Sequence, residues 1–267
     1  MTINIKGSPA GTINISGTGG EVKMFTVPPI PFDPMSLGGL KAWYKADGIV
    51  GVGNGGGVST WVDSSGNGQD LSTGYGYPDP LYSTGDALLG GKPSVNFTFG
   101  AGCGTMRRPS PTGLPLGNDA RTVYFAGYTT NSNQRPFQEI FGYGGLYTAE
   151  RIAVFIQLSN ISMEFGNFTT ATGVVSSNTA FITAYAYTGI NISSVPFYLD
   201  NVGYNTAQTN TLATVPTEIM MAGIPGASTY SDFGGAIAEA LVYDTAHSDS
   251  DRVLVTNYLA SKYGITI

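Results

Sequence analysis

From Leu40 onward, short runs of apolar and β-branched residues alternate with clusters of Gly, Asn, Asp and Ser. Strand-like runs cover 40–47, 58–63, 93–99, 121–129, 137–143, 151–157, 161–165, 179–187, 195–200, 217–224 and 235–243. Turn clusters such as Gly53-Asn54-Gly55-Gly56-Gly57 and Ser65-Gly66-Asn67-Gly68 separate them. Strands of this length at this spacing predict an all-β sandwich. In Arg121-Thr122-Val123-Tyr124-Phe125-Ala126-Gly127-Tyr128 both alternate faces carry apolar groups, which predicts a central strand covered on both sides. Only the C-terminus changes period. There Leu254, Val255, Tyr258, Leu259 and Lys262 fall at helical spacing. Ser248 or Ser250 supplies an N-cap, Asp249 and Asp251 place acid in the first turn, and Gly264 supplies the stop. The apolar stripe of this helix is expected to dock on the sandwich.

The first 39 residues follow a different pattern. Thr2-Ile3-Asn4-Ile5-Lys6-Gly7 recurs as Thr12-Ile13-Asn14-Ile15-Ser16-Gly17, so two short alternating strands are each closed by glycine. A third strand candidate spans Val22 to Val27. Then Pro28-Pro29-Ile30-Pro31-Phe32-Asp33-Pro34 favours extended polyproline geometry over helix. The pattern divides the chain into an N-terminal β-arm at 1–27, a Pro-rich linker at 28–39 and the sandwich at 40–267. An extended strand gains main-chain hydrogen bonds at the sheet edge of a neighbouring subunit. Ile3, Ile5, Ile13, Ile15 and Phe25 are therefore the candidate partner contacts, with folding back onto the chain's own domain as the alternative.

Composition narrows the function. Charged residues make up only 11%, the formal net charge is -6, and Lys and Arg total 12 with Arg107-Arg108 as the one basic pair. Nucleic-acid binders carry a basic patch, so no nucleic-acid partner is expected. Cys103 is the single cysteine, which rules out a disulfide within the chain. No apolar run approaches the ~20 residues of a membrane-spanning helix, so no membrane partner is expected either. The start of the sequence lacks the charged and apolar pattern of a signal peptide.

Two stretches resemble a known family. Leu40-Lys41-Ala42-Trp43-Tyr44-Lys45-Ala46-Asp47 followed by Val58-Ser59-Thr60-Trp61-Val62-Asp63-Ser64-Ser65-Gly66-Asn67-Gly68 is similar to the opening of concanavalin A-like (laminin-G-like) domains of bacteria and phages. Ala238-Glu239-Ala240-Leu241-Val242-Tyr243-Asp244, Ser248-Asp249-Ser250-Asp251-Arg252 and Tyr258-Leu259-Ala260-Ser261-Lys262-Tyr263-Gly264-Ile265 resemble the family's closing strand and helix. Gly91-Lys92-Pro93-Ser94-Val95-Asn96-Phe97 resembles a strand between them. The resemblance frames 40–267 and implies a two-sheet jelly-roll sandwich with one C-terminal helix. It is nearly silent on function. Phe32-Asp33-Pro34-Met35-Ser36-Leu37 is similar to a lead-in of phage structural proteins of this type. With the missing signal pattern, this gives the expectation of a virion protein made in the host cytoplasm. It would sit on the particle exterior as a capsid decoration or short appendage, anchored by the arm to other virion proteins and homo-oligomeric in the assembly. The alternative is a carbohydrate-binding module of a tail adhesin or bacterial surface protein.

Enzymatic chemistry is not expected. Glycosidases of the superfamily place two carboxylates on one strand face, and no glutamate here has an acid two residues away. His247, the only histidine, has no nucleophile elbow to serve and reads as packing or capping. No cofactor is expected. Calcium is the one metal to weigh, through Asp63, Asn67 and Asp70, although the same run reads better as an Asx turn whose carboxylate accepts backbone N–H groups. Trp43 and Trp61 read as core. Tyr75, Tyr77, Tyr143 and Tyr147 are the candidate contact aromatics for a glycan or protein surface, with loop packing as the alternative.

Overall fold

The computed structural model describes residues 32–74, 76–99, 104–133, 137–147, 149–164, 173–192, 197–205, 210–223 and 233–267. Two compact units divide the chain at Asp33/Pro34, and the second carries the sandwich. Its strands are β1 (Leu40–Lys45), β2 (Thr60–Trp61), β3 (Leu71–Thr73), β4 (Leu81–Asp86), β5 (Lys92–Phe97), β6 (Met106–Pro109), β7 (Arg121–Thr129), β8 (Gln138–Gly144), β9 (Arg151–Gln157), β10 (Asn160–Glu164), β11 (Gly173–Val174), β12 (Phe181–Tyr187), β13 (Phe197–Leu199), β14 (Val202–Tyr204), β15 (Glu218–Met221) and β16 (Gly235–Tyr243). The helix α1 spans Asp249–Tyr263.

Two antiparallel sheets result. The first runs β14-β13-β12-β7-β16-β5-β4, with β1 also on β16; the second runs β11-β10-β9-β8-β15-β6-β3-β2. β1 and β5 share one edge of β16, β1 along Glu239–Tyr243 and β5 along Gly235–Ile237. β7 lies between β12 and β16, and every residue in it is buried, as its two-sided apolar pattern predicts. Between the sheets pack Tyr44, Trp61, Val123, Phe125, Tyr143, Ile152, Val154, Ile219, Ile237 and Val242, among others. Burying each such side chain contributes about 1.5–3 kcal/mol. Trp43 and Trp61 are both buried, as expected of core.

A bulge in β16 sets the outer face of the first sheet. Ala238 has no partner on β7, because Ile237 faces Gly127 and Glu239 faces Ala126. The extra residue turns the alternation by one position, so Ile237, Ala240 and Val242 all reach the inter-sheet core. Glu239, Leu241 and Tyr243 then point outward, toward α1. The helix begins at Ser248, whose hydroxyl accepts from Asp251 N, and ends at Gly264 in the left-handed region (φ 65°). Its buried stripe is Val255, Leu259, Ala260 and Tyr263. Leu254, expected in that stripe, is 45% exposed and stands to the side.

The segment 34–39, expected as linker, departs from extended geometry. Pro34–Leu37 forms a 3-10 turn, which tolerates proline at its first position because no N–H is needed there. Pro34 is buried, and its carbonyl accepts from the Tyr243 hydroxyl at 2.9 Å. The arm 1–27, with Ile3, Ile5, Ile13, Ile15 and Phe25, lies outside the described residues, so its anchoring role stays an expectation.

Candidate functional site

At the end of the sandwich where β7 starts and β16 stops, one buried arginine organises the loops. Arg121 is fully buried and uses all five guanidinium donors. Nε donates to Asp119 O at 2.9 Å. Nη1 donates to the Tyr143 hydroxyl at 3.1 Å and to Thr214 Oγ1 at 2.9 Å. Nη2 donates to Leu116 O at 3.2 Å and Gly117 O at 3.0 Å. The rings of Tyr143 and Tyr187 flank it at 5.9 and 5.8 Å, where their faces favour a cation. None of these partners is a carboxylate; carbonyl and hydroxyl dipoles take up the charge. The Tyr187 hydroxyl donates to Asn118 Oδ1, and Asn118 Nδ2 donates to Gly189 O. The segment 116–119 is thereby fixed from behind.

In front of that segment lies a pocket of about 400 Å³, lined by Lys41, Gly113, Leu114, Pro115, Asp119, Ala120 and Asp244. Lys41 Nζ pairs with Asp244 Oδ2 at 2.9 Å, and both side chains are about one-third exposed. Asp119 Oδ2 accepts from Leu116 N at 3.3 Å, and Asp119 N donates back to Leu116 O at 2.9 Å. Gly39, at φ +69°, lies against Asp244; a Cβ there would come within 2.4 Å of Asp244 Oδ1. Leu114 and Pro115 are buried and give one wall an apolar character. The pocket thus combines an ammonium, two carboxylates and an apolar wall.

The sequence-predicted contacts fall in different places. Tyr143 is corrected: it is 1% exposed, sits in β8 facing the core, and receives its hydrogen bond from Arg121. Burial pushes its hydroxyl up to about 12, against the pull of the Arg121 charge. The strand expected over 137–143 forms, runs on to Gly144 and carries Tyr143 within it, which turns the ring inward. Tyr147 is 76% exposed in the β8–β9 loop. Tyr77 is half-buried, and its N–H donates to Gly74 O. Tyr75 and Cys103 lie outside the described residues.

The weighed calcium ligands are occupied by the chain. Asp63 Oδ1 accepts from Trp43 N at 2.8 Å and Ser65 N at 2.9 Å; Oδ2 accepts from Ser65 Oγ at 2.7 Å and Gln69 N at 3.0 Å. Asp70 Oδ1 accepts from Asp63 N at 2.8 Å, and Asn67 Nδ2 donates to Leu40 O at 2.9 Å. This is the turn arrangement expected as the alternative to a metal site. Among the described residues no group of three or more His, Cys, Asp or Glu is placed to hold a metal ion.

One arrangement escapes the sequence. Glu139 on β8 and Glu218 on β15 share the outer face of the second sheet, because Glu139 pairs with outward Phe155 and Glu218 pairs with Gly144 opposite Arg151. A motif search along one strand cannot find acids contributed by two. The two stand four paired positions apart, roughly 13 Å of strand. Each faces its own arginine: Glu139 pairs with Arg151, and Glu218 with Arg107 at 3.0 Å. Burial raises the Glu218 carboxyl, opposed by the Arg107 charge.

Solved structures share this sandwich. A mutant GH54 α-L-arabinofuranosidase soaked with 4-nitrophenyl α-L-arabinofuranoside matches at TM-score 0.56 and 16% identity, over 78% of this chain and 51% of that one. Trypanosoma rangeli sialidase in complex with sialic acid matches at 0.55 and 15%, over 86% and 34%. Domain 4 of AbnA, a GH43 extracellular arabinanase from Geobacillus stearothermophilus in complex with arabinotriose, matches at 0.58 and 16%, over 82% and 98%. The chain thus spans about half of the arabinofuranosidase, a third of the sialidase and nearly all of the arabinanase domain. At these identities the likeness is one of fold, a two-sheet β-sandwich. No family model matches the sequence, and no curated protein does.

Proposed function

We propose that the sandwich is a non-catalytic carbohydrate-recognition module. The observation that carries this reading is the pocket of about 400 Å³ at the loop end, within the ~300–1,000 Å³ range of small-ligand sites. Carboxylate oxygens of Asp119 and Asp244 accept from sugar hydroxyls, Lys41 donates to them, and Leu114 with Pro115 packs against the C–H face of a ring. Arg121 holds the Asp119 segment in place before any ligand arrives, so little ordering is left to do on binding. The fold likeness to a whole arabinanase domain solved with arabinotriose is in keeping with this. Hydrolysis is disfavoured because Glu139 and Glu218 are each tied to an arginine, far from the close facing pair that glycoside cleavage needs.

The test is a glycan array probed with the full chain, paired with an assay for reducing ends released from the same glycans. The expected result is binding to a defined subset that Asp119→Ala weakens by about 10-fold, the scale of one lost charged hydrogen bond, with no new reducing ends. Binding to nothing on the array, or turnover of a bound glycan, would overturn the reading.

A further inference from the structure

Donors and acceptors in the loop-end pocket are unequal in number, and that imbalance points to a ligand class. We propose that the pocket takes neutral or ammonium-bearing sugar units and rejects those carrying a carboxylate. The inference rests on the carbohydrate reading and adds the chemistry of the ligand. Among the described residues Lys41 supplies the only cationic side chain in the lining, and Asp244 already neutralises it at 2.9 Å. Asp119 adds a second carboxylate with no cation opposite it in that lining. Its Oδ2 accepts from Leu116 N, while its Oδ1 has no hydrogen-bond partner among the described residues. Asp244 Oδ1 has none there either, since Lys41 engages Oδ2.

Ionised carboxylates only accept hydrogen bonds. The groups left over for a ligand are therefore mainly acceptors, which fit the O–H and N–H donors of neutral and amino sugars. Arg121, the cation behind the pocket's 116–119 segment, offers an anion nothing by way of hydrogen bonds. It is fully buried behind the 116–119 segment, and its five donors are spent on Asp119 O, Tyr143, Thr214, Leu116 O and Gly117 O. A uronate or sialate carboxylate would meet Asp119 with no unpaired cation to offset it. The formal net charge of -6 adds a weak long-range repulsion of the same sign. The site is thus closer in chemistry to an arabinan reader than to a reader of acidic sugars.

The experiment titrates the full chain with three trimers of similar size: neutral arabinotriose, a glucosamine trimer kept protonated at mildly acidic pH, and trigalacturonate. Ligand-observed NMR or calorimetry reads the affinity. The expected order is glucosamine first by a few-fold, arabinotriose next and trigalacturonate at least ~10-fold weaker than arabinotriose, as for one uncompensated like-charge contact near the surface. Raising salt should shrink the gap between the charged pair. Asp119→Asn keeps an acceptor, removes the charge and sits at an exposed position. It should bring trigalacturonate to within ~3-fold of arabinotriose with the melting temperature unchanged. Lys41→Met serves as a second variant: it removes the cation of the lining and should widen the gap between the glucosamine trimer and trigalacturonate. Equal or tighter trigalacturonate binding by the native chain overturns the class inference alone, as does an unchanged ranking in Asp119→Asn. Failure of all three trimers and of the wider array overturns the carbohydrate reading beneath it.

Discussion

The imidazole of His247 lies between the rings of Tyr243 and Tyr124, 4.3 and 5.7 Å from their centres, with Nδ1 2.7 Å from the Tyr124 hydroxyl. Nε2 is buried without a partner among the described residues. Burial lowers the pKa of this ring, and nearby Asp251 only partly opposes it. The sequence reading of His247 as a packing residue fits this setting. Asp200 shifts in the opposite sense to His247. It sits at φ 48° in the turn between β13 and β14, accepts from Ile182 N at 2.8 Å, and is pushed up to about 6 by burial. For His247 the folded pKa is depressed, so its contribution is present above ~6.5 and lost as pH falls through the folded value. For Asp200 the folded pKa is raised, so its contribution is present below ~4 and lost as pH rises through about 6. Asp200→Asn keeps the acceptor and suits the left-handed turn. It should therefore stabilise the protein at pH 7 by about 1 kcal/mol, a figure discounted for solvent screening because the residue is only partly buried. The gain should fade toward pH 4. Urea midpoints at the two pH values check it, and a less stable variant at pH 7 would refute it. Neither shift is legible in the sequence, because burial depends on which strands meet around each group.

One carboxylate gathers several of the polar contacts between α1 and the first sheet. Glu239, turned outward by the bulge at Ala238, accepts from Trp43 Nε1, from the Tyr258 and Tyr263 hydroxyls at 3.1 and 2.7 Å, and from Lys262 Nζ at 2.8 Å. Tyr258, Lys262 and Tyr263 all belong to α1, whereas Trp43 belongs to β1, so the carboxylate joins three elements. Glu239→Ala would leave Lys262, 14% exposed, with Asp47 at 3.0 Å as its one carboxylate among the described residues, and would strand the buried indole N–H of Trp43. The expected loss is about 3–5 kcal/mol in denaturant unfolding. Glu239→Gln, which keeps an acceptor for Trp43 and Tyr263, should recover part of it. A loss equal to that of the alanine would mean that the charge itself carries the joint, whereas an alanine loss below about 1 kcal/mol would mean that the helix docks without it. The helix itself was legible, since Ser248 and Gly264 cap it locally and the apolar spacing is helical. The long central strands were legible for the same reason. β3, β4, β6, β11 and β14 were not. They are short or polar, and what makes them strands is the backbone pairing of a neighbour rather than any local preference.

Across the whole molecule, the pocket gathers Lys41 from β1, the 113–120 segment before β7 and Asp244 just past β16. No spacing rule in the sequence brings positions 41, 119 and 244 together; the pairing of β1 and β7 on either side of β16 does so. The start of the domain differs from its sequence expectation for a related reason. Proline density suggests a linker through residue 39, but residues 34–39 belong to the compact unit that ends at Ile267. Pro34 is buried under Tyr243, Gly38 N closes a turn on Met35 O at 3.2 Å, and Gly39 O accepts from Asp244 N at 2.9 Å. The last of these contacts backs the Asp244 wall of the pocket. A chain starting at Leu40 should therefore be less stable than one starting at Pro34, by about 2 kcal/mol for a lost buried contact and an orphaned buried hydroxyl. It should also bind the neutral trimer more weakly, because Asp244 loses its backing at Gly39. Parallel urea unfolding and trimer titration of the two truncations measure both effects. Equal stability would restore 34–39 to the linker, whereas a stability loss with unchanged binding would separate the strap from the pocket it adjoins.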